Sequence, residues 1–170
     1  MGFGALQEFL SRGGPVLTYF ILPATFFMWA LILERVFYFR FAHNAVADEA
    51  ISEWRSRSDR KSPMAHWVKD KLVSEVRMKA EQNVTMTKAL VALAPLLGLL
   101  GTVTGMVQVF DILAITSGTD AKAMSGGVSQ ATIPTMAGMV ASLSGILFTS
   151  GMDRRVNRSV QKVEDAMEIG

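Results

Sequence analysis

Cysteine is absent from the 170 residues, which excludes disulfides and thiolate chemistry. Only two histidines occur, His43 and His66, with no Cys near them and no HExxH spacing, so both read as surface residues and a histidine-based metal centre is excluded. Charge is scarce: Asp, Glu, Lys and Arg make up 19% of the chain, low for a soluble domain. A net charge of +2 is too small to point to nucleic acid. No nucleophile–base pair, phosphate-binding loop or metal cluster appears, which argues against an enzyme and against a cofactor.

The charges that exist are clustered and leave three long gaps. No charge occurs from Gly13 to Leu33, in the 22 residues between Lys88 and Asp111, or in the 30 between Lys122 and Asp153. Each gap is apolar and long enough for a membrane-crossing helix, which needs about 20 residues. The chain therefore reads as an all-α membrane protein with three transmembrane helices. The second and third are long and extend into the cytoplasm, beside a helical cytoplasmic domain. The expected segments are a periplasmic amphipathic helix (1–14), the first span (15–40), a cytoplasmic helical segment (41–88), the second span (89–112), a periplasmic connection (113–123), the third span (124–152) and a cytoplasmic tail helix (153–170). The N-terminal stretch carries Glu8 and Arg12 and lacks a basic leader with a cleavage site, so a removable signal peptide is not expected. Its Phe3, Leu6, Phe9 and Leu10 suit a helix lying at an interface.

Fifteen of the 17 Lys and Arg residues fall on one side of this arrangement, leaving only Arg12 and Lys122 on the other. Positive residues mark the cytoplasmic side. This places the N-terminus on the periplasmic side and the C-terminus in the cytoplasm. In the cytoplasmic parts, Ala65, Val68, Leu72 and Val76 recur at helical spacing, as do Val156, Val160, Val163 and Met167. Ser58 to Pro63 reads as a turn, and the tail can continue the third span unbroken. Acidic residues interleave with the basic ones, which favours packing against neighbouring subunits over binding of the membrane surface. Trp29 reads as an interface or packing residue, and Trp54 and Trp67 as packing residues. Three helices bury little against one another, so a homo-oligomer or a partner is expected, with membrane lipids around it.

Both inner spans carry a polar, small-residue face. In the second, Pro95, Gly98, Thr102 and Gly105 share an arc of about 80° at 100° per residue. In the third, Thr135, Gly138, Ser142, Gly145 and Thr149 do the same. One reading is a helix-packing seam, since small residues admit close backbone approach and hydroxyls bond across the contact. That reading takes Pro95, Gly98, Gly105, Gly138, Ser142 and Gly145 as the packing face. The other is an ion pathway facing a partner, formed by Thr102, Thr135, Gln130, Ser129, Thr132 and Pro134. Two features favour it. Thr102 and Thr135 lie deep in their spans, and Pro134 withdraws the N–H that the Gln130 carbonyl would otherwise accept. Thr104 adds a further hydroxyl. None of the three helix centres contains Asp, Glu, His, Lys or Arg. A proton carrier needs a titratable group, so the carboxylate of such a path must come from another polypeptide.

The run Ala94-Pro95-Leu96-Leu97-Gly98-Leu99-Leu100-Gly101-Thr102-Val103-Thr104-Gly105-Met106 is similar to the second-span signature of the ExbB/TolQ/MotA proton-channel family. Gly126 to Gly138 resembles the third-span signature of ExbB and TolQ, and Glu34-Arg35 matches the family's pattern at the inner end of the first span. The resemblance, closest to ExbB of a TonB system, implies a bacterial inner-membrane protein that forms a ring of five subunits around a dimer of ExbD-like single-pass helices. The partner's membrane Asp would face the hydroxyls at Thr102 and Thr135. Proton passage would then do work, through a TonB-like protein, on outer-membrane transport. Glu34 and Arg35 are expected to form an interfacial ion pair with a neighbouring subunit, or Arg35 simply to snorkel. The chain departs from the family pattern at Gln130, where many ExbB and TolQ sequences have Glu, and at Pro134, where Ala is common. A sodium- or proton-driven stator of the TolQ/MotA type, and a structural membrane scaffold, are the competing readings.

Overall fold

The computed structural model describes residues 2–59, 62–116 and 121–167. Within them the order is α1 (Gly2–Arg12), α2 (Gly14–Val16), a π-helical turn (Leu17–Ile21), α3 (Leu22–Phe37), a second π-helical turn (Tyr38–Ala42), α4 (His43–Ser56), α5 (Pro63–Glu81), α6 (Val84–Thr116) and α7 (Ala121–Ala166). The described residues contain no strand, and three helical stretches are long and apolar enough to cross a membrane. The all-α membrane class read from the charge gaps is the class found. The side chains of Phe3 and Leu6, and residues 117–120 of the 113–123 connection, lie outside the described residues.

Local chemistry explains the breaks. Gly14 adopts φ 71°, and Pro15 follows it as a helix-starting residue. α5 begins at Pro63, with the Ser62 hydroxyl accepting from the Ala65 N–H at 3.2 Å. Asn83 ends the α5 turn in the left-handed region at φ 64°, a conformation Asn tolerates better than most residues. α7 continues from the third span into the tail without a break, passing through Pro134.

The chain divides into two compact units. The first comprises Met1–Trp29 and Lys88–Ile146. Val16, Leu17 and Ile21 are buried there against Leu97, Ile133 and Ala137. On its outside Leu96, Leu99, Val103, Val107, Met136, Met139, Val140 and Leu143 are exposed, an apolar surface that suits lipid or a partner helix rather than water.

The second unit comprises Ala30–Thr87 and Leu147–Gly170. Its core joins Ala50 and Trp54 of α4, Ala65, Leu72 and Val76 of α5, and Val163 and Met167 of the tail. Ala80 packs with Val156 and Val160. Two expectations are corrected here. Trp67 is 76% exposed, because helical spacing that turns Ala65, Leu72 and Val76 inward turns residue 67 outward. His43 is buried, not superficial, with its ring 5.2 Å from Phe39 and 6.0 Å from Tyr38.

Arg35 is also inside, at 2% exposure, and does not snorkel. Its Nε and Nη2 donate to the two carboxylate oxygens of Glu34 at 3.0 and 3.1 Å. Its Nη1 donates to the carbonyls of Lys79 (2.9 Å) and Ala80 (3.4 Å) at the end of α5. Asn83 Nδ2 donates to Glu34 at 3.2 Å, and the Tyr38 ring lies 4.7 Å from the guanidinium carbon. The ion pair thus ties the start of the unit to the α5–α6 turn within one chain. Arg35→Gln is expected to weaken this turn by about 2 kcal/mol, since bonds to charged groups contribute roughly 1.5–3 kcal/mol. Hydrogen exchange should show amides of the last α5 turn opening about thirtyfold more readily, and unchanged protection there would refute the clasp.

Candidate functional site

The two small-residue faces pack on each other inside the first unit. A Cβ on Gly98 would lie 2.9 Å from Thr135 Cα and 3.0 Å from the Pro134 carbonyl oxygen. One on Gly105 would lie 2.6 Å from Ala131 Cα, and one on Gly138 would drive into the Ala94 carbonyl. Gly145 meets Val91 of α6 and Met28 of α3, so all three spans converge there. Ser142 is buried on the same face, and Pro95 is half-buried on its own. Backbone contacts this close need glycine on at least one side.

Thr102 and Thr135 meet within this seam. Their hydroxyls are hydrogen-bonded to each other. Both also lie within bonding distance of one acceptor, the Gly98 carbonyl, at 3.2 Å from Thr102 and 3.0 Å from Thr135. Each hydroxyl has one proton and two lone pairs. If one donates to its partner, the other can donate to Gly98, and unused acceptor capacity remains on both. Both residues are half-buried, so the cluster is anchored in the seam without being sealed in it.

The other polar residues of the proposed path are dispersed. Thr132 is exposed, with its hydroxyl donating back to the Val128 and Ser129 carbonyls, each at 3.1 Å. Thr104 does the same onto Leu100 (3.0 Å) and Gly101 (3.1 Å). Ser129 is half-buried. Gln130 turns to the Gly13–Gly14–Pro15 corner, where its amide nitrogen would stand 3.0 Å from a Cβ on Gly14. There it shares a cavity of about 10 Å³, the size of one water, with Thr104 and Gln108. Pro134 is fully buried, seated in the notch left by Gly101.

Sequence reasoning missed Gly101 and Gln108. The Gly101–Gly105 spacing of four is a small-xxx-small signal that could have identified Gly101. Nothing in the sequence points to Gln108, whose place depends on the Gly14 corner.

An acid-free hydroxyl cluster between two long apolar helices can hold a hydrogen bond network but cannot titrate. Residues 37–165, about three quarters of the chain, match the MotA/TolQ/ExbB proton channel family. The chain is 35% identical over 68 residues to the biopolymer transport protein ExbB-like 3 of Synechocystis sp., a stretch covering 39% of this chain and 32% of that protein. It is 42% identical over 65 residues to ExbB-like 1 of the same organism, covering 36% of this chain and 26% of that protein. The matched stretch is thus a third or less of either relative's length. With the family match spanning both signature runs and the seam they form, the chain belongs to the MotA/TolQ/ExbB proton channel family.

Proposed function

We propose that the chain is a ring-forming, ExbB-like subunit of a proton-driven motor in the inner membrane. In this reading five copies surround an ExbD-like partner whose membrane Asp completes the site at Thr102 and Thr135. The work reaches outer-membrane transport through a TonB-like protein. The single observation that carries the reading is the hydroxyl pair on the Gly98 carbonyl, set in spans with no titratable group at their centres.

The pair suits a carboxyl group that changes charge. A protonated carboxyl can donate to a free lone pair of either threonine. Once ionised, it accepts instead, from a hydroxyl that rotates its proton off Gly98 or off the other threonine. Only hydroxyl rotation is needed, and the ordered seam keeps the oxygens in place. Gln130 cannot titrate, so in this subunit the acid acts alone.

Reconstituting the chain in vesicles with its single-pass partner tests this. Proton flux is expected in sodium-free buffer only when the partner is present, and it should vanish when the partner's membrane Asp becomes Asn. Flux from this chain alone would overturn the reading, and strict sodium dependence would favour a sodium-driven stator.

A structural scaffold is the second reading, favoured by the use of Gly98, Gly105 and Gly138 in close helix contact. It expects substitutions in the seam to reduce assembly while activity per assembled complex stays constant.

A further inference from the structure

The second unit contains a groove of about 250 Å³, walled by Val36 and Phe39 on one side and Leu147, Phe148 and Met152 on the other, with Arg155 at one end. Residues 147, 148, 151, 152 and 155 recur at three- and four-residue spacing, so one face of α7 forms its wall. Arg155 is the only lining residue with a polar side chain. Gly151, also on this wall, borders open space: a Cβ there would meet nothing within 4 Å.

The groove's chemistry changes along its length. Leu147, Phe148 and Met152 belong to the charge-free run that ends before Asp153. Arg155 stands eight residues beyond Leu147, about 12 Å along the helix. One end therefore lies at the depth of hydrocarbon and the other in the polar boundary layer. Around the charged end the sequence places Arg154, Arg155 and Arg158 with Asp153, and the exposed Arg40 follows Phe39. Although acidic residues interleave with basic ones over the cytoplasmic parts as a whole, this turn carries three arginines against one aspartate, a local excess that attracts anions at a membrane surface. Free inorganic phosphate would find no use for the apolar wall, and an apolar helix would find no use for the arginine.

We propose that this groove holds an acyl chain of an anionic phospholipid, with Arg155 on its phosphate. The proposal requires only that the chain spans a membrane, so it stands or falls separately from the proton-motor reading.

The test uses the assembled complex reconstituted with phosphatidylcholine alone or mixed with phosphatidylglycerol. Native mass spectrometry counts the retained lipid per subunit. The unaltered complex should retain phosphatidylglycerol in preference to phosphatidylcholine. Arg155→Gln should lower that preference about fivefold, the effect of one basic residue near an anionic surface. Gly151→Leu projects a side chain into the space along this wall without striking the fold and should abolish retention of both lipids. Inorganic phosphate added to the buffer should not compete, and displacement by it would reduce the site to a surface anion contact and overturn the proposal. Unchanged retention in Gly151→Leu would also overturn it. So would a changed oligomer size with lipid retention intact, which would assign the groove to a neighbouring copy.

Discussion

Thr135→Ala is expected to cut partner-dependent proton flux at least about a hundredfold while the complex still assembles, because removing one positioned hydroxyl donor beside a developing charge typically costs about 10²–10³-fold. The two effects separate because their sizes differ. Removing one hydroxyl costs the fold little: interhelical hydrogen bonds in membranes average about 0.6 kcal/mol and reach about 1.7. Thr102 keeps its own bond to Gly98 at 3.2 Å, so the seam retains its anchor. What disappears is one of two rotating protons beside the proposed carboxylate. Thr102→Val should act in the same direction, since it preserves shape and removes the other hydroxyl. Thr135→Ser should restore flux. Flux measured in vesicles after an acid pulse, normalised to assembled complex on native gels, provides the check. Full flux in both Thr135→Ala and Thr102→Val would refute the proton role and leave the seam as packing.

Gly138→Leu is expected to do the opposite, removing the assembled protein without selectively affecting the chemistry. A Cβ at this position runs into the Ala94 carbonyl and lies 3.2 Å from Gly98 Cα. Backbone atoms cannot rotate away as a side chain can, so α6 and α7 would have to part. Overpacking a tight interior costs about 1–3 kcal/mol and sometimes more, and contact with backbone belongs at the upper end. The separation would also break the Thr135–Gly98 bond, which spans the same contact. Gly126→Ala is the matched control, because nothing lies within 4 Å of a Cβ there. It should be neutral or slightly stabilising, as alanine is favoured over glycine in a helix by about 1 kcal/mol. The amount of complex surviving a heating step in detergent distinguishes the two. Normal survival of Gly138→Leu would show that the seam is not closed in the assembled state.

The amino-acid sequence by itself determined the membrane class, the amphipathic cores of the soluble helices and the absence of an acid at the span centres. All three follow from composition and period: a charge-free run of 22 or 30 residues excludes most alternatives, and helical spacing puts Leu72 and Val76 on one face wherever the helix lies. Period alone could not say which face meets which. Thr102 and Thr135 are 33 residues apart, and Arg35 reaches a carbonyl 44 residues away. Contacts at such separations depend on how helices dock, and glycine faces look alike until one is chosen. Only the tertiary structure decided that both threonines share the Gly98 carbonyl, that Pro134 fills the notch at Gly101, that Gln130 turns to Gly14 instead, and that Arg35 is buried. The physical reason is the same in each case: one close backbone approach fixes the register of two helices, and every side chain on them takes its neighbours from that register.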